Sequence, residues 1–360
     1  MSENLPIIPG RGSNLNPANR FEKAHQEADF EHLEFDAEFW AEQQHPKTEF
    51  LPDASKSIIS ENDSPDIPFR YSLNPYRGCE HGCAYCYARP THEYLGLNAG
   101  LDFETKIFYK ERAPELLEEF LSRPKWQPEL IVMSGVTDCY QPCERKFRIT
   151  RGCLEVALAF KQPLGLITKN ALVVRDLDLL TEMAGQRLVE VNISMTSLDQ
   201  ELTRTLEPRT SSPAAKLKAI RTLANAGIPV RVMVSPIIPG LNDSHIPAVL
   251  HAAREAGAQA ASYILLRLPL TVAPVFQEWL ERTHPTHRER IEHLIQSTRD
   301  GNLSSSQFGE RMRGTGALAE QIQQTFRVFR RKLGYVEQLA PLDYSHFEVP
   351  RPRSGQLTLF

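Results

Sequence analysis

Cys79-Glu-His-Gly-Cys83-Ala-Tyr-Cys86 is the stretch on which the reading of this chain turns. Three thiols fall within eight residues in a C-x3-C-x2-C spacing, and an aromatic residue, Tyr85, stands before the last of them. Three thiolates hold three corners of a cubane iron–sulfur cluster. With no fourth cysteine in the loop, one iron stays open to an outside ligand. Zinc is an alternative, with His81 or His92 completing a four-donor set. A disulfide is the other, in a chain with no mark of secretion.

The length, 360 residues, suits one α/β domain of roughly 200–250 residues with appendages. No apolar run approaches the roughly 20 residues that span a bilayer. The opening Met-Ser-Glu-Asn-Leu-Pro lacks the basic start and apolar core of a signal peptide. Six cysteines, half of them in one loop, fit a reducing compartment. A cytoplasmic protein with no membrane association is expected. Charge is uneven: residues 1–65 carry −8, so the remainder carries +4 in a chain of net charge −4. That balance permits a nucleic-acid substrate without requiring one.

Residues 1–65, rich in Pro, Asn, Glu and His, read as an acidic and partly flexible arm. Within it, Arg11 and Arg20 are either substrate contacts or ordinary surface residues. From residue 66 to about 270 the pattern repeats as strand, loop and helix. Apolar, β-rich runs occur at Leu130–Met133, Leu164–Ile167, Val189–Ile193, Val230–Val234 and Ser262–Leu266. Helical stretches separate them at Glu115–Arg123, Arg151–Lys161, Asp176–Ala184, Ala214–Ala226 and Ile246–Ala256. With a strand leading into Cys79, about six β/α units predict a parallel sheet. Residues 271–345 read as a helical extension, with an apolar stripe at Leu318, Ile322, Phe326, Phe329 and Leu333. Residues 346–360 read as a flexible tail.

The cysteine spacing with Tyr85 resembles the radical S-adenosylmethionine (SAM) superfamily. The resemblance implies a partial (β/α)6 barrel with a [4Fe–4S] cluster on Cys79, Cys83 and Cys86. It also implies SAM as second cofactor, a 5′-deoxyadenosyl radical as the reactive species, and a flavodoxin or ferredoxin as electron donor. Tyr85 would pack near the cluster or the adenine. Barrel sites lie at the C-terminal strand ends. Ser134-Gly-Val-Thr-Asp138 occupies the position of the loop that binds the methionyl amino group: Gly135 admits the backbone, and Thr137 or Asp138 accepts from the ammonium. Lys169 suits the SAM carboxylate and Ser194 the ribose, while Ser235–Gly240 resembles the segment lining the adenine.

The wider context is similar to the branch grouped with spore photoproduct lyases. It comprises Tyr71–Cys79, Tyr87–His92, Lys169, Glu207-Pro-Arg209, Ala226–Pro229 and Pro236–Asn242. That likeness implies a lyase-like, DNA-repair type of enzyme acting on a damaged or modified nucleobase in DNA. Those lyases carry a hydrogen-donating cysteine in the loop after the second strand, three residues before an Asp; here that position is Gly135. Cys139 is the nearby thiol, either a hydrogen donor or, like Cys143 and Cys153, a buried structural residue. Arg89 and His92 are candidates for tuning the cluster, and His92 for moving protons. The final Gln356-Leu-Thr-Leu-Phe360 resembles the peptide by which bacterial repair proteins dock on the sliding clamp, with Leu357, Leu359 and Phe360 filling an apolar cleft and Gln356 making the polar bond. Two other readings stay open. One directs the same radical chemistry at RNA or a protein side chain; the other is a redox sensor whose cluster has no turnover.

Overall fold

The computed structural model describes residues 8–21 and 46–350. Ten strands lie in that region: β1 (Glu49–Pro52), β2 (Ile59–Glu61), β3 (Tyr71–Leu73), β4 (Tyr76–Arg77), β5 (Lys106–Tyr109), β6 (Ile131–Met133), β7 (Leu164–Thr168), β8 (Val189–Met195), β9 (Val230–Ile237) and β10 (Ala260–Leu265). The large sheet runs β10-β9-β8-β7-β6-β3-β2. Its six strands from β3 onward are parallel, each beside the one before it in the chain, and β2 adds antiparallel at the outer edge of β3. The sheet is open, as expected of a partial barrel.

Helices return the chain between strands: α1 (Leu101–Thr105), α2 (Ala113–Leu121), α3 (Glu144–Phe147), α4 (Ile149–Ala159), α5 (Leu177–Gly185), α6 (Gln200–Leu206), α7 (Pro213–Asn225) and α8 (Ile246–Glu255). Local chemistry sets their starts. The Asp199 carboxylate accepts from the amides of Glu201 and Leu202 at the head of α6, and Ser212 followed by Pro213 opens α7. Alternate residues of the central strands face the core: Val189, Val191 and Ile193 of β8 and Val230, Val232 and Val234 of β9 are buried, while Glu190, Arg231 and Met233 between them are half-buried.

Three features differ in detail from the sequence expectation. The extension holds three helices, α9 (Val272–Thr283), α10 (Arg288–Ser297) and α11 (Gly316–Lys332), separated by an irregular stretch. Gly301, Gly309 and Gly314 in that stretch have positive φ, which a helix does not tolerate. The α11 stripe does pack on the barrel, with the Phe326 ring 4.7 Å from that of Tyr263. Within the expected arm, β1 pairs in parallel with β5, and β5 pairs with β4 to form a second small sheet.

The third feature is the segment 8–21, which lies on the cysteine loop. The Gly12 and Ser13 amides donate to the Glu104 carboxylate at 3.1 and 3.0 Å. Arg11 donates to the Glu104 carbonyl at 2.9 Å and to Thr48 at 3.0 Å. Arg20 pairs with Glu93 at 2.7 Å. Both arginines are therefore fasteners between segments. The approach at Gly12 is so close that a Cβ there would stand 1.7 Å from the Gly82 carbonyl oxygen. G12A is expected to lower stability by roughly 1–3 kcal/mol, read as a drop in thermal midpoint. G185A, whose Cβ meets nothing within 4 Å, should leave the midpoint within error. Equal midpoints for the two variants would show that segment 8–21 is not seated on the loop.

Candidate active site

Protein hydrogen bonds hold the cysteine loop from both sides. The Cys79 amide donates to the Phe103 carbonyl at 2.9 Å and the Ala84 amide to the Leu206 carbonyl at 3.0 Å. Gln141 holds the loop from the other side, accepting from the Glu80 amide at 2.8 Å and donating to the Gly78 carbonyl at 3.2 Å. Arg89 donates twice to the Cys83 carbonyl, at 3.1 and 2.9 Å, and once each to the carbonyls of Ala99 and Gly100. It also pairs with Glu104 at 2.5 Å, both side chains fully buried. Gly82 has φ +63, and a Cβ on it would meet Glu104 at 2.6 Å. Glycine is required there on two counts.

Cys79, Cys83 and Cys86 are reduced, the first two buried and the third half-buried. Burial pushes the Cys79 thiol up, and Asp138, Cys86 and Cys83 push it further. The three thiols are thereby neutral on their own, and a bound cation would draw them to the thiolate form that ligates it. Soft sulfur donors without an added imidazole suit an iron–sulfur cluster. Three thiols with no fourth cysteine in the loop match a cluster that keeps one iron open. The residues present fit the cluster.

The other candidates gather at the C-terminal edge of the sheet, where that loop also lies. After β6, Ser134 adopts φ 76 and its hydroxyl accepts from the Cys139 amide at 2.7 Å, which closes the turn. Gly135 packs against β3: a Cβ would meet Ser72 Cβ at 2.9 Å. The Thr137 hydroxyl donates to the Tyr76 carbonyl at 2.7 Å. Asp138 is richly bonded, accepting from the Thr168 hydroxyl and the Lys169 amide, each at 2.7 Å, and facing His81 Nδ1 at 3.4 Å. It thereby ties the β6 loop to the end of β7.

Lys169 sits at the centre of a buried network. Its ammonium lies 2.9 Å from Ser194 Oγ, 3.3 Å from Thr196 Oγ1, 3.0 Å from Glu207 Oε1 and 2.9 Å from the Ser235 carbonyl. The Tyr85 ring centroid is 5.5 Å away. Glu207 is fully buried and accepts from Lys169, the hydroxyls of Tyr85 and Thr196, and Lys216, the last at 3.0 Å. Burial alone would push the Glu207 carboxyl up, but Lys169 and Lys216 outweigh it and hold the group well below the usual carboxylate range. Burial likewise lowers Lys216, against the pull of Glu207. Lys169 therefore offers a fixed positive edge rather than a free side chain.

Cys139 lies elsewhere: it is fully buried in the main core with Cys153, and burial drives its thiol well up. The Cys143 thiol is likewise buried and faces Glu80. His92 is buried, bonded to the Lys106 carbonyl at 2.9 Å, and pushed down to about 4 by burial. It is neutral and braces Gly78, with its ring 2.9 Å from where a Gly78 Cβ would be. Two residues of the network had no role assigned from sequence, Glu207 and Lys216. A signal for Lys216 was present: it falls on the apolar face of α7 with Ala219, Ile220 and Leu223, where an unpaired lysine is not tolerated.

The profile of the radical SAM superfamily matches residues 73–253. An uncharacterised protein of Mycobacterium tuberculosis is 39% identical over 230 residues, covering 63% of this chain and 68% of that one. One from Methanocaldococcus jannaschii is 29% identical over 245 residues, 68% of this chain and 87% of the relative. Among solved structures, spore photoproduct lyase with bound AdoMet and dinucleoside spore photoproduct superimposes with TM-score 0.59 at 17% identity, over 79% of this chain and 80% of the other. At that identity the likeness is one of fold.

Because the folded value of Glu207 is depressed, its contribution to stability is complete above the unfolded carboxyl pKa of about 4.3. It is lost as pH falls below that toward the folded value. E207Q removes the counter-charge of a buried lysine and is expected to cost about 3–5 kcal/mol, measured by urea unfolding of the reduced protein at neutral pH. Adding K216M should recover much of the loss. An unchanged urea midpoint for E207Q would mean the network adds nothing to stability.

Proposed function

This chain belongs to the radical SAM superfamily, and we propose that its substrate is a damaged or modified nucleobase in DNA. It is an enzyme whose cofactors are a [4Fe–4S] cluster and SAM. When both are bound, they supply a 5′-deoxyadenosyl radical able to abstract a hydrogen atom. The chain's own residues then bind, orient and exclude water. Cys79, Cys83 and Cys86 hold the cluster. The Ser134–Asp138 loop, with the close backbone approach at Gly135, receives the methionyl amino group. Lys169 presents its charge to the SAM carboxylate, and Ser194, bonded to it, lies toward the ribose. The electron comes from a flavodoxin or ferredoxin.

One observation carries the substrate class. Likeness to spore photoproduct lyase extends over 79% of the chain, well beyond the 73–253 span of the superfamily profile, and a solved form of that lyase holds dinucleoside spore photoproduct. The lesion itself differs on this reading. Ser72 fills the space beside Gly135, so a side-chain hydrogen donor at that position has no room. Cys139, the neighbouring thiol, is sealed in the core; as a hydrogen donor it would have to act from there.

The clamp peptide, Gln356, Leu357, Leu359 and Phe360, lies outside the described residues; docking on the sliding clamp is part of the proposal. A cytoplasmic setting is likewise proposed, and no helix among the described residues is long and apolar enough to cross a membrane.

The test is anaerobic reconstitution with iron and sulfide, reduction with dithionite, addition of SAM, and measurement of 5′-deoxyadenosine with and without lesion-bearing DNA. C83A should lose the cluster and all product. Intact SAM cleavage in that variant would end the cofactor assignment. Turnover stimulated by RNA or a peptide, but by no form of DNA, would end the substrate assignment.

A further inference from the structure

Arg267 lies two residues past the end of β10, on the edge of the sheet that carries the cofactor loops. It is a half-buried cation without an anion. Its contacts are the Met312 thioether at 3.6 Å, a weak acceptor, and the Tyr87 ring, whose centroid is 5.8 Å from the guanidinium. Its Nε is buried with no hydrogen-bond partner. Arg89 shows the contrast, making five hydrogen bonds to protein oxygens; Arg299, the other buried arginine of this patch, likewise keeps an Nε with no partner.

The surroundings make that cation less comfortable. Burial and Arg311 both lower Arg267; burial and Arg267 lower Arg299 to about 10. Asp66, the acid closest to hand, is taken by Arg311 at 2.7 Å and by the Gly309 amide. Glu310 acts on Arg299 instead. Three guanidinium groups thus crowd one patch with too few carboxylates, an arrangement that costs stability unless an anion arrives.

Aromatic faces accompany the cations. Tyr87, the residue after the last cluster cysteine, is 47% exposed and donates to the Gly135 carbonyl at 2.8 Å, so it spans from the cysteine loop to the β6 loop. Phe308 is 57% exposed and lies under Arg311, 4.6 Å from the guanidinium. Paired aromatic faces and cations along a rim suit an unstacked nucleic-acid strand, bases on the rings and phosphates on the guanidinium groups.

We propose that Arg267, with Arg311 beside it, forms the subsite for a backbone phosphate of the nucleic-acid substrate, next to a base laid on Tyr87. The inference rests on the nucleobase reading above and names the residues that take the strand. An anion at Arg267 has two possible sources, a substrate phosphate and the carboxylate of SAM; the geometry favours the phosphate, because Lys169 already presents a charge among the SAM loops.

The experiment uses the reconstituted holoenzyme and a fluorescently labelled single-stranded oligonucleotide, with affinity measured across a salt series. R267Q is expected to weaken binding roughly tenfold and to reduce the slope of log affinity on log salt by about 0.7, one phosphate contact. R267K, which keeps charge but loses the planar fork, should keep the slope and recover part of the affinity. SAM binding, followed through the cluster's electron paramagnetic resonance spectrum, should match wild type in both variants, which also shows that they are folded. Unchanged oligonucleotide affinity in R267Q would overturn the subsite and leave the nucleobase reading standing. Loss of SAM binding with normal oligonucleotide affinity would overturn it too, assigning the anion to SAM. Failure of the wild-type protein to bind the oligonucleotide would overturn the nucleobase reading and the subsite together.

Discussion

The buried carboxylate of Glu207 is the constraint on which the site depends. It joins four parts of the chain that are far apart in sequence: Tyr85 in the cysteine loop, Lys169 at the end of β7, Thr196 after β8, and Lys216 on α7. Burying one carboxylate is expensive, and burying two ammonium groups more so. The arrangement holds because each charge is met by another and by hydroxyls with good geometry. Two lysines on one carboxylate leave a surplus positive charge beneath the cysteine loop. A cluster held by the three thiols of that loop would bring the opposite charge to it.

A second buried pair, Arg89 with Glu104, acts on the outer side of the same loop. Here the acid is bonded by the Gly12 and Ser13 amides while the base holds the Cys83 carbonyl. Between them the two ion systems fix the loop from both faces. The thiols are thereby presented by a rigid frame rather than by a flexible turn, as reproducible cofactor chemistry requires.

How legible this was from sequence depends on the range of the interaction. The barrel strands are short apolar runs set by local composition, and their places agree with expectation to within a few residues, as do the helices between them. The cysteine loop was legible as a unit because its three thiols are neighbours in sequence. Glu207 and Lys216 had no role assigned, because only the fold brings them to Lys169, although Lys216 stands out on the apolar face of α7. The small sheet was missed for a similar reason: β1 gains its partner, β5, only across more than fifty intervening residues. Lys169 was singled out from sequence for the SAM carboxylate, but its bonded network was not. Its four oxygen neighbours come from the ends of β8 and β9 and from the residue after α6, which no local pattern records.

The order of the strands has a further consequence. Because β3, β6, β7, β8, β9 and β10 lie side by side in the order in which they are made, the sheet can grow by accretion as the polypeptide leaves the ribosome. The cysteine loop is synthesised early, whereas Glu207 and Lys216 come much later, on the order of ten seconds at ordinary elongation rates. During that interval Tyr85, in the cysteine loop, lacks its carboxylate anchor. The topology thus sets an order of assembly in which the thiols are made well before the charge network that fixes their loop can form.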